Sequence, residues 1–240
     1  MKIFIDSAEV GEVEKYISWG LCDGVTTNPS ICLKSGVKGG EEGIKKRALE
    51  IAALIAPRPL SVEVTTDKID EILVEARKYN AWAENISVKV TITDRNGSSL
   101  LPAIYQLVSE GISVNVTAMM TFNQAILAAK AINAGLSKSQ VKKTHFISIF
   151  AGRISEEHGV EQAQKVLKEV RQWLDFHNYK NIEIIVGSVR SPENVDLWSK
   201  SGAHILTIPP EVIAKCLLSA RTKETVVQFL DDANKALQQL

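Results

Sequence analysis

An excess of either charge is missing from this sequence: 28 basic side chains meet 28 acidic ones, for a formal net charge of zero. With no basic run either, nucleic acid and a membrane surface are not expected partners. Cysteine is scarce. Cys22, Cys32 and Cys216 are odd in number and form no CxxC pair, which argues against a disulfide framework and fits a reducing cytoplasm. All three read as small buried hydrophobes. No stretch reaches the roughly 18 apolar residues of a transmembrane helix, and MKIFIDSAEV lacks the apolar region of a signal peptide. His145, His158, His177 and His204 show no HxH or HExxH spacing, so no metal centre is expected. A GxGxxG turn, a P-loop and a GxSxG elbow are missing too. Trp19, Trp82, Trp173 and Trp198 lie in or beside helical patterns and read as packing residues.

What is present is a regular alternation. Hydrophobic residues make up 45% of 240 positions, enough for one sizeable core. Short apolar runs recur at 2–6, 24–27, 60–65, 86–91, 112–117, 145–150, 182–187 and 203–208. Between them lie segments such as EEGIKKRALEIAALI, KIDEILVEARKY, FNQAILAAKAI and GVEQAQKVLKEVRQWLDFH, whose apolar residues return at helical spacing. Eight such alternations at this length predict an α/β fold, a single-domain (β/α)8 (TIM) barrel over residues 1–240, ending in a C-terminal helix. A doubly wound sheet is the alternative, but the glycine-rich first turn of a dinucleotide site does not follow strand one.

The strands carry polar residues where parallel strands are ordinarily apolar on both faces. Side chains two apart share a face. In LSVEVT, Glu63 opposes Val62 and Val64; in ISVKVT, Lys89 opposes Val88 and Val90. Asn115 and Thr117 oppose Val114 and Val116, and Ser148 and Phe150 oppose Ile147 and Ile149. Asp6 closes strand one, Thr26 and Asn28 end strand two, and Ser188 and Arg190 follow strand seven. The apolar set is expected against helices and the polar set inside the barrel, at the strand ends where barrel enzymes carry their sites. Any one of these residues could merely meet water or cap a helix; the repetition points to a site. A lysine inside a barrel loses hydration, which favours the neutral amine, and such an amine can form a Schiff base. A buried ion pair of Lys89 with Glu63 accounts for the residue equally well at this point.

In order along the chain, GVTTNPS, LSVEVT, the VKV core of strand four, NVTA with FNQA, FAGR and GSVR resemble the motifs of the transaldolase family. The resemblance covers nearly the whole chain and matches the short, single-domain form. It implies a cofactor-free Schiff-base mechanism, with Lys89 as the imine-forming amine and Glu63 as acid and base through a water that Thr117 positions. It further implies that Asp6 takes the hydroxyl proton when the C–C bond breaks. Asn28, Asn115 and Ser148, with Thr26 nearby, would hold the dihydroxyacetone hydroxyls; Arg153, Ser188 and Arg190 would hold the anionic end of the sugar. Without the family, Arg153 reads as a surface ion pair within RISEE, and Arg190 as a helix-start residue before SPEN.

Fructose 6-phosphate aldolases of the same family typically have glutamine and tyrosine where this chain has Glu63 and Phe150, so the pair implies transfer rather than release of dihydroxyacetone. Departures from the common pattern are Thr91 in place of a proline, AMM after NVT, ISEEHG after FAGR, and Gly187 in place of an alanine. With these, the chain is most similar to the sulfofructose transaldolases, which implies a sugar sulfonate or phosphate as small-molecule partner. A pentose-phosphate transaldolase or an aldolase is the alternative, and a non-catalytic sugar-binding barrel would have lost Lys89 or Glu63. The family also implies a homo-oligomer, pentamer or decamer. The C-terminal helix TVVQFLDDANKALQQL would either serve a neighbouring subunit or pack on its own barrel.

Overall fold

The predicted strands close on themselves. In the computed structural model, which describes residues 1–238, the chain runs β1 (Lys2–Asp6), α1 (Val10–Ser18), β2 (Gly24–Thr26), α2 (Pro29–Lys34) and α3 (Gly40–Ile55). It continues as β3 (Leu60–Glu63), α4 (Ile69–Asn80), β4 (Ile86–Thr91), α5 (Leu101–Ser109), β5 (Val114–Met119) and α6 (Phe122–Leu136). Then follow β6 (His145–Ile149), α7 (Ala151–His158), α8 (Val160–Phe176) and β7 (Ile182–Val186). The last elements are α9 (Pro192–Ser199), β8 (Ile205–Ile208), α10 (Pro210–Cys216) and α11 (Ala220–Gln238). Each strand pairs in parallel with the next, and β8 returns to β1, giving a closed eight-stranded barrel.

The valines and isoleucines of the strands turn outward, as the alternation predicts. Val62, Val88, Val90, Val114, Val116, Ile147 and Ile149 join one apolar cluster with the inner faces of the helices. Helix α8 shows why: Ala163, Val166, Leu167, Val170 and Leu174 form a buried stripe at helical spacing, while its charges face water. Local chemistry sets several helix starts. Thr121 and Gln124 close a capping box on α6, and Ser191 caps α9 ahead of Pro192.

Inside the barrel the N-terminal end is plugged by a second cluster, Phe4, Phe146, Ile185 and Ile205. The Phe4 and Phe146 rings meet edge to face, 5.9 Å between centroids. Gly24 makes room for this plug, because a Cβ there would stand 2.6 Å from the Phe4 ring. Around this end, His145 and His204 each accept a backbone N–H through Nδ1, from Val114 at 3.3 Å and Ile184 at 3.0 Å.

Some expectations need correction. The fifth strand starts at Val114 and runs to Met119, with a register irregularity after Val116. Helices α2, α7 and α10 were not anticipated, being short and lacking a long apolar stripe. Cys22 and Cys32 are buried, but Cys216 is exposed, because it ends α10 on its solvent side. Helix α11 does not pack on its own barrel: none of its described residues is buried. The predicted final residues, 239–240, lie outside the described part. Among the described residues, no helix is long and apolar enough to cross a membrane.

Candidate active site

Strand register alone sets three polar side chains in a row. Glu63 pairs with Lys89 across β3 and β4, and Lys89 with Asn115 across β4 and β5. In a parallel ladder such partners point to the same face, here the barrel interior. Lys89 is only 5% exposed. Its Nζ lies 2.9 Å from Glu63 Oε2 and donates to the Thr27 carbonyl at 3.3 Å. The ion pair read as one alternative therefore exists, yet Lys89 also lines an open cavity. A purely structural pair would be sealed away from ligands.

Asp6 lines the same cavity. Thr26 Oγ1 donates to Asp6 Oδ1 at 2.6 Å and also contacts the Thr207 hydroxyl. Burial raises the Asp6 carboxyl above its ordinary value near 3.8; the Thr26 hydrogen bond and the Lys89 charge oppose that rise. A carboxylate so destabilised is a better proton acceptor than an exposed one.

The floor is a polar chain. Ser148 donates to Asn115 Oδ1 at 2.7 Å, and the Asn115 amide donates to Ser61 at 3.0 Å. Thr117, one step further along β5, is buried with a hydroxyl that has no partner. Such atoms are uncommon in folded proteins and often mark a place for a bound water or ligand. The next residue, Ala118, holds φ at 61°. That left-handed turn coincides with the register irregularity and carries the strain seen near functional sites.

At the other end, Phe150 precedes α7 and Arg153 lies in its first turn, with its guanidinium 5.3 Å above the Phe150 ring. Ser188 has φ of 60°. Only glycine fits beside it at 152, because a Cβ there would come within 1.9 Å of the Ser188 carbonyl oxygen. This close approach brings α7 and the loop after β7 together over the cavity. Arg190 donates its main-chain N–H to Asn194 at 3.1 Å and forms an ion pair with Glu156. The RISEE carboxylate thus serves Arg190 and not Arg153. Asn28 caps α2 by accepting from the Ile31 N–H at 2.8 Å, which leaves its amide N–H groups for the cavity.

The cavity, about 150 Å³, is lined by Asp6, Thr26, Asn28, Lys89, Ser148, Phe150, Arg153, Ser188 and Arg190. All nine were singled out from the sequence. Glu63, Asn115 and Thr117 do not line it. Gly187 and Thr207 also line it and were missed. Thr207 sits in an apolar run in which threonine is an ordinary strand residue; only closure of β8 onto β1 brings its hydroxyl to Thr26. A larger groove runs along α11 but is lined by that helix alone. Among the described residues, no three His, Cys, Asp or Glu side chains gather as a metal site would require.

The arrangement combines a buried amine, one carboxylate bonded to it, a second carboxylate in the cavity lining, and two forked cations in the same lining. That set suits carbonyl chemistry on a small anionic sugar. Comparison with known proteins agrees with it. The family model described as Transaldolase/Fructose-6-phosphate aldolase matches residues 3–240. A protein named "Probable transaldolase" from Hyphomonas neptunium is 37% identical over 236 residues, 98% of each chain. Proteins of the same name from Streptococcus agalactiae and Lactiplantibacillus plantarum are 35% identical over 232 residues, covering at least 96% of either chain. Among solved structures, a thiamine phosphate pyrophosphorylase from Pyrococcus furiosus superposes with a TM-score of 0.54 at 9% identity, over 87% of this chain and 85% of that one. That likeness speaks for the fold alone. From the barrel, its ordered motifs and these full-length relatives, the chain belongs to the transaldolase/fructose-6-phosphate aldolase family.

Proposed function

We propose that this protein is a Schiff-base transaldolase that cleaves 6-deoxy-6-sulfofructose to sulfolactaldehyde and passes dihydroxyacetone to an aldose phosphate such as glyceraldehyde 3-phosphate. The observation that carries the chemistry is Lys89 Nζ at 2.9 Å from Glu63, with Lys89 lining a cavity that Arg153 and Arg190 line too. Glu63 takes a proton from the ammonium, and the free amine adds to the ketose carbonyl. Glu63, through a water held at the unpartnered Thr117 hydroxyl, returns the proton as the carbinol oxygen leaves as water. The resulting iminium accepts the electron pair of the C3–C4 bond while Asp6 takes the proton of the C4 hydroxyl. An aldehyde departs, the enamine waits on Lys89, and an acceptor aldehyde reverses the steps. Asn28, Asn115 and Ser148 hold the dihydroxyacetone hydroxyls, with Thr26 fixing Asp6. Phe150 offers no hydroxyl to protonate the enamine, which favours transfer over release.

The sulfosugar rests on the departures from the common family pattern. Gly187 lines the cavity directly and Glu156 pairs with a cavity residue. Thr91 turns its hydroxyl to the Thr93 carbonyl at 2.8 Å, one register step beyond Lys89. A transaldolase acting on fructose 6-phosphate shares every catalytic residue and is the outcome if sulfofructose is left untouched.

The same reading makes the protein a cytoplasmic homo-oligomer, pentamer or decamer. Val226, Phe229, Leu230 and Leu237 form an exposed apolar stripe on α11 that a neighbouring copy would cover. Light scattering that reports a monomer would remove that part.

The decisive test is borohydride reduction with each donor. A stable adduct on the Lys89 peptide, with sulfolactaldehyde released, is expected from sulfofructose. It should be lost, with at least about a thousandfold of activity, in Lys89→Met. An adduct on another lysine would overturn the mechanism; cleavage of fructose 6-phosphate with no reaction of sulfofructose would overturn only the donor.

A further inference from the structure

We propose that Glu156 sets the charge of the anion this pocket prefers, by neutralising part of Arg190 and biasing the far end toward singly charged head groups. The inference rests on the reading of Arg153, Ser188 and Arg190 as the anion site. Those cations were identified from the motifs; the carboxylate paired with Arg190 was not.

Glu156 lies on α7, three residues after Arg153, so the same helix carries a cation and an anion to the cavity's rim. Its carboxylate forms an ion pair with the Arg190 guanidinium, and both side chains remain about half exposed. Arg153 has a different partner, the face of Phe150. Two arginines with one carboxylate leave a net single positive charge at this end. Lys89 and Asp6 also line the cavity, and Glu63 pairs with Lys89.

A sulfonate carries one negative charge and matches that net charge. A phosphate monoester carries nearly two at neutral pH, and its second charge meets Glu156 at short range. Repulsion grows with ligand charge, so the carboxylate penalises phosphate more than sulfonate. Because the pair is half exposed, water screens the penalty and it stays modest. That suits a site which must still accept a phosphorylated aldehyde after a sulfonated one leaves. Arg190 can exchange Glu156 for the incoming head group, and Glu156 retakes Arg190 on departure.

The experiment measures dissociation constants on the intact protein by NMR titration at pH 8, with methanesulfonate and methyl phosphate as probes. Relative to the parent, Glu156→Gln should tighten methyl phosphate about three- to tenfold more than methanesulfonate. Glu156→Asp should restore most of the original ratio, and Glu157→Gln, a neighbouring exposed carboxylate, should leave it alone. Equal tightening of both probes, no change, or weakening of both would overturn the proposal; the last would mean that Glu156 merely props Arg190 in place. The parent's own preference is a separate reading. If it binds methyl phosphate far better than methanesulfonate, the sulfosugar assignment suffers, while the shift between parent and variant still decides the role of Glu156. If Arg190→Ala leaves both constants unaltered, the anion site lies elsewhere and this inference falls with it.

Discussion

The two ends of the barrel interior are built from the same strands and behave as opposites. At the N-terminal end, Phe4, Phe146, Ile185 and Ile205 fill the space, and His145 and His204 meet backbone N–H groups that the ladder leaves over. At the C-terminal end, Thr117 keeps a buried hydroxyl without a partner, Ala118 and Ser188 hold positive φ, and burial raises the Asp6 carboxyl above its ordinary value. One end is optimised for folding; the other retains unspent polar capacity for a ligand. The contrast is that between stability and activity within a single closed sheet.

Mutation can test this opposition directly. The largest effect on turnover at the catalytic end, short of removing Lys89, is expected for Asp6→Asn. It should slow C–C cleavage by roughly 10²–10⁴-fold and accumulate the Schiff base, seen by intact mass. The same variant should be more heat-stable than the parent at neutral pH. Burial raises the Asp6 carboxyl, so the native state is penalised wherever that group is ionised. The penalty fades as pH falls through the folded value and vanishes below the ordinary value near 3.8. A calorimetric series in which Asp6→Asn is less stable than the parent at pH 7 would contradict this assignment.

The plug should respond in reverse. Phe146→Ala removes a buried ring and should cost about 3–5 kcal/mol in denaturant unfolding, while activity per folded molecule stays close to that of the parent. An activity loss with unchanged stability would mean that the two ends are coupled. Acid probes the same end more gently. Burial lowers His145 from 6.5 to about 4, so the folded state disfavours its protonation. That contribution is complete above 6.5 and is lost as pH falls toward 4, on the order of 3 kcal/mol in all. His145→Gln should flatten the acid limb of the stability curve; an unchanged limb would acquit this residue. The smallest effect concerns backbone strain. Ala118→Gly should stabilise by about 1 kcal/mol, because glycine takes positive φ freely, and thermal melting would detect it.

Most of this opposition was legible in the sequence because strand alternation has a period of two. Val88, Lys89 and Val90 declare an inside and an outside without any knowledge of the neighbours. The polar row of Glu63, Lys89 and Asn115 then follows from register, and nine of the twelve expected residues line one cavity. What alternation cannot reveal is which side chains pair across distant elements. Thr207 passes for a routine strand threonine, and Glu156 for a surface charge of RISEE. Helix α7 was missed because AGRISEEH is short and its apolar residues are too few to show a period. Helix α11 was read correctly as a helix, but a helical period says nothing about which body its apolar stripe will meet.

The contact between Thr26 and Thr207 has a consequence for synthesis. It ties β2 to β8 across β1, so the hydrogen-bonded frame of Asp6 depends on the last strand of the barrel as well as the second. A chain still on the ribosome can expose Lys89 and Glu63 long before residue 207 has emerged. It then carries both residues of the ion pair but lacks the finished surroundings of Asp6. Under the proposed mechanism, bond cleavage is reserved for molecules whose first and last strands have met, and a product truncated before β8 lacks the finished frame of Asp6.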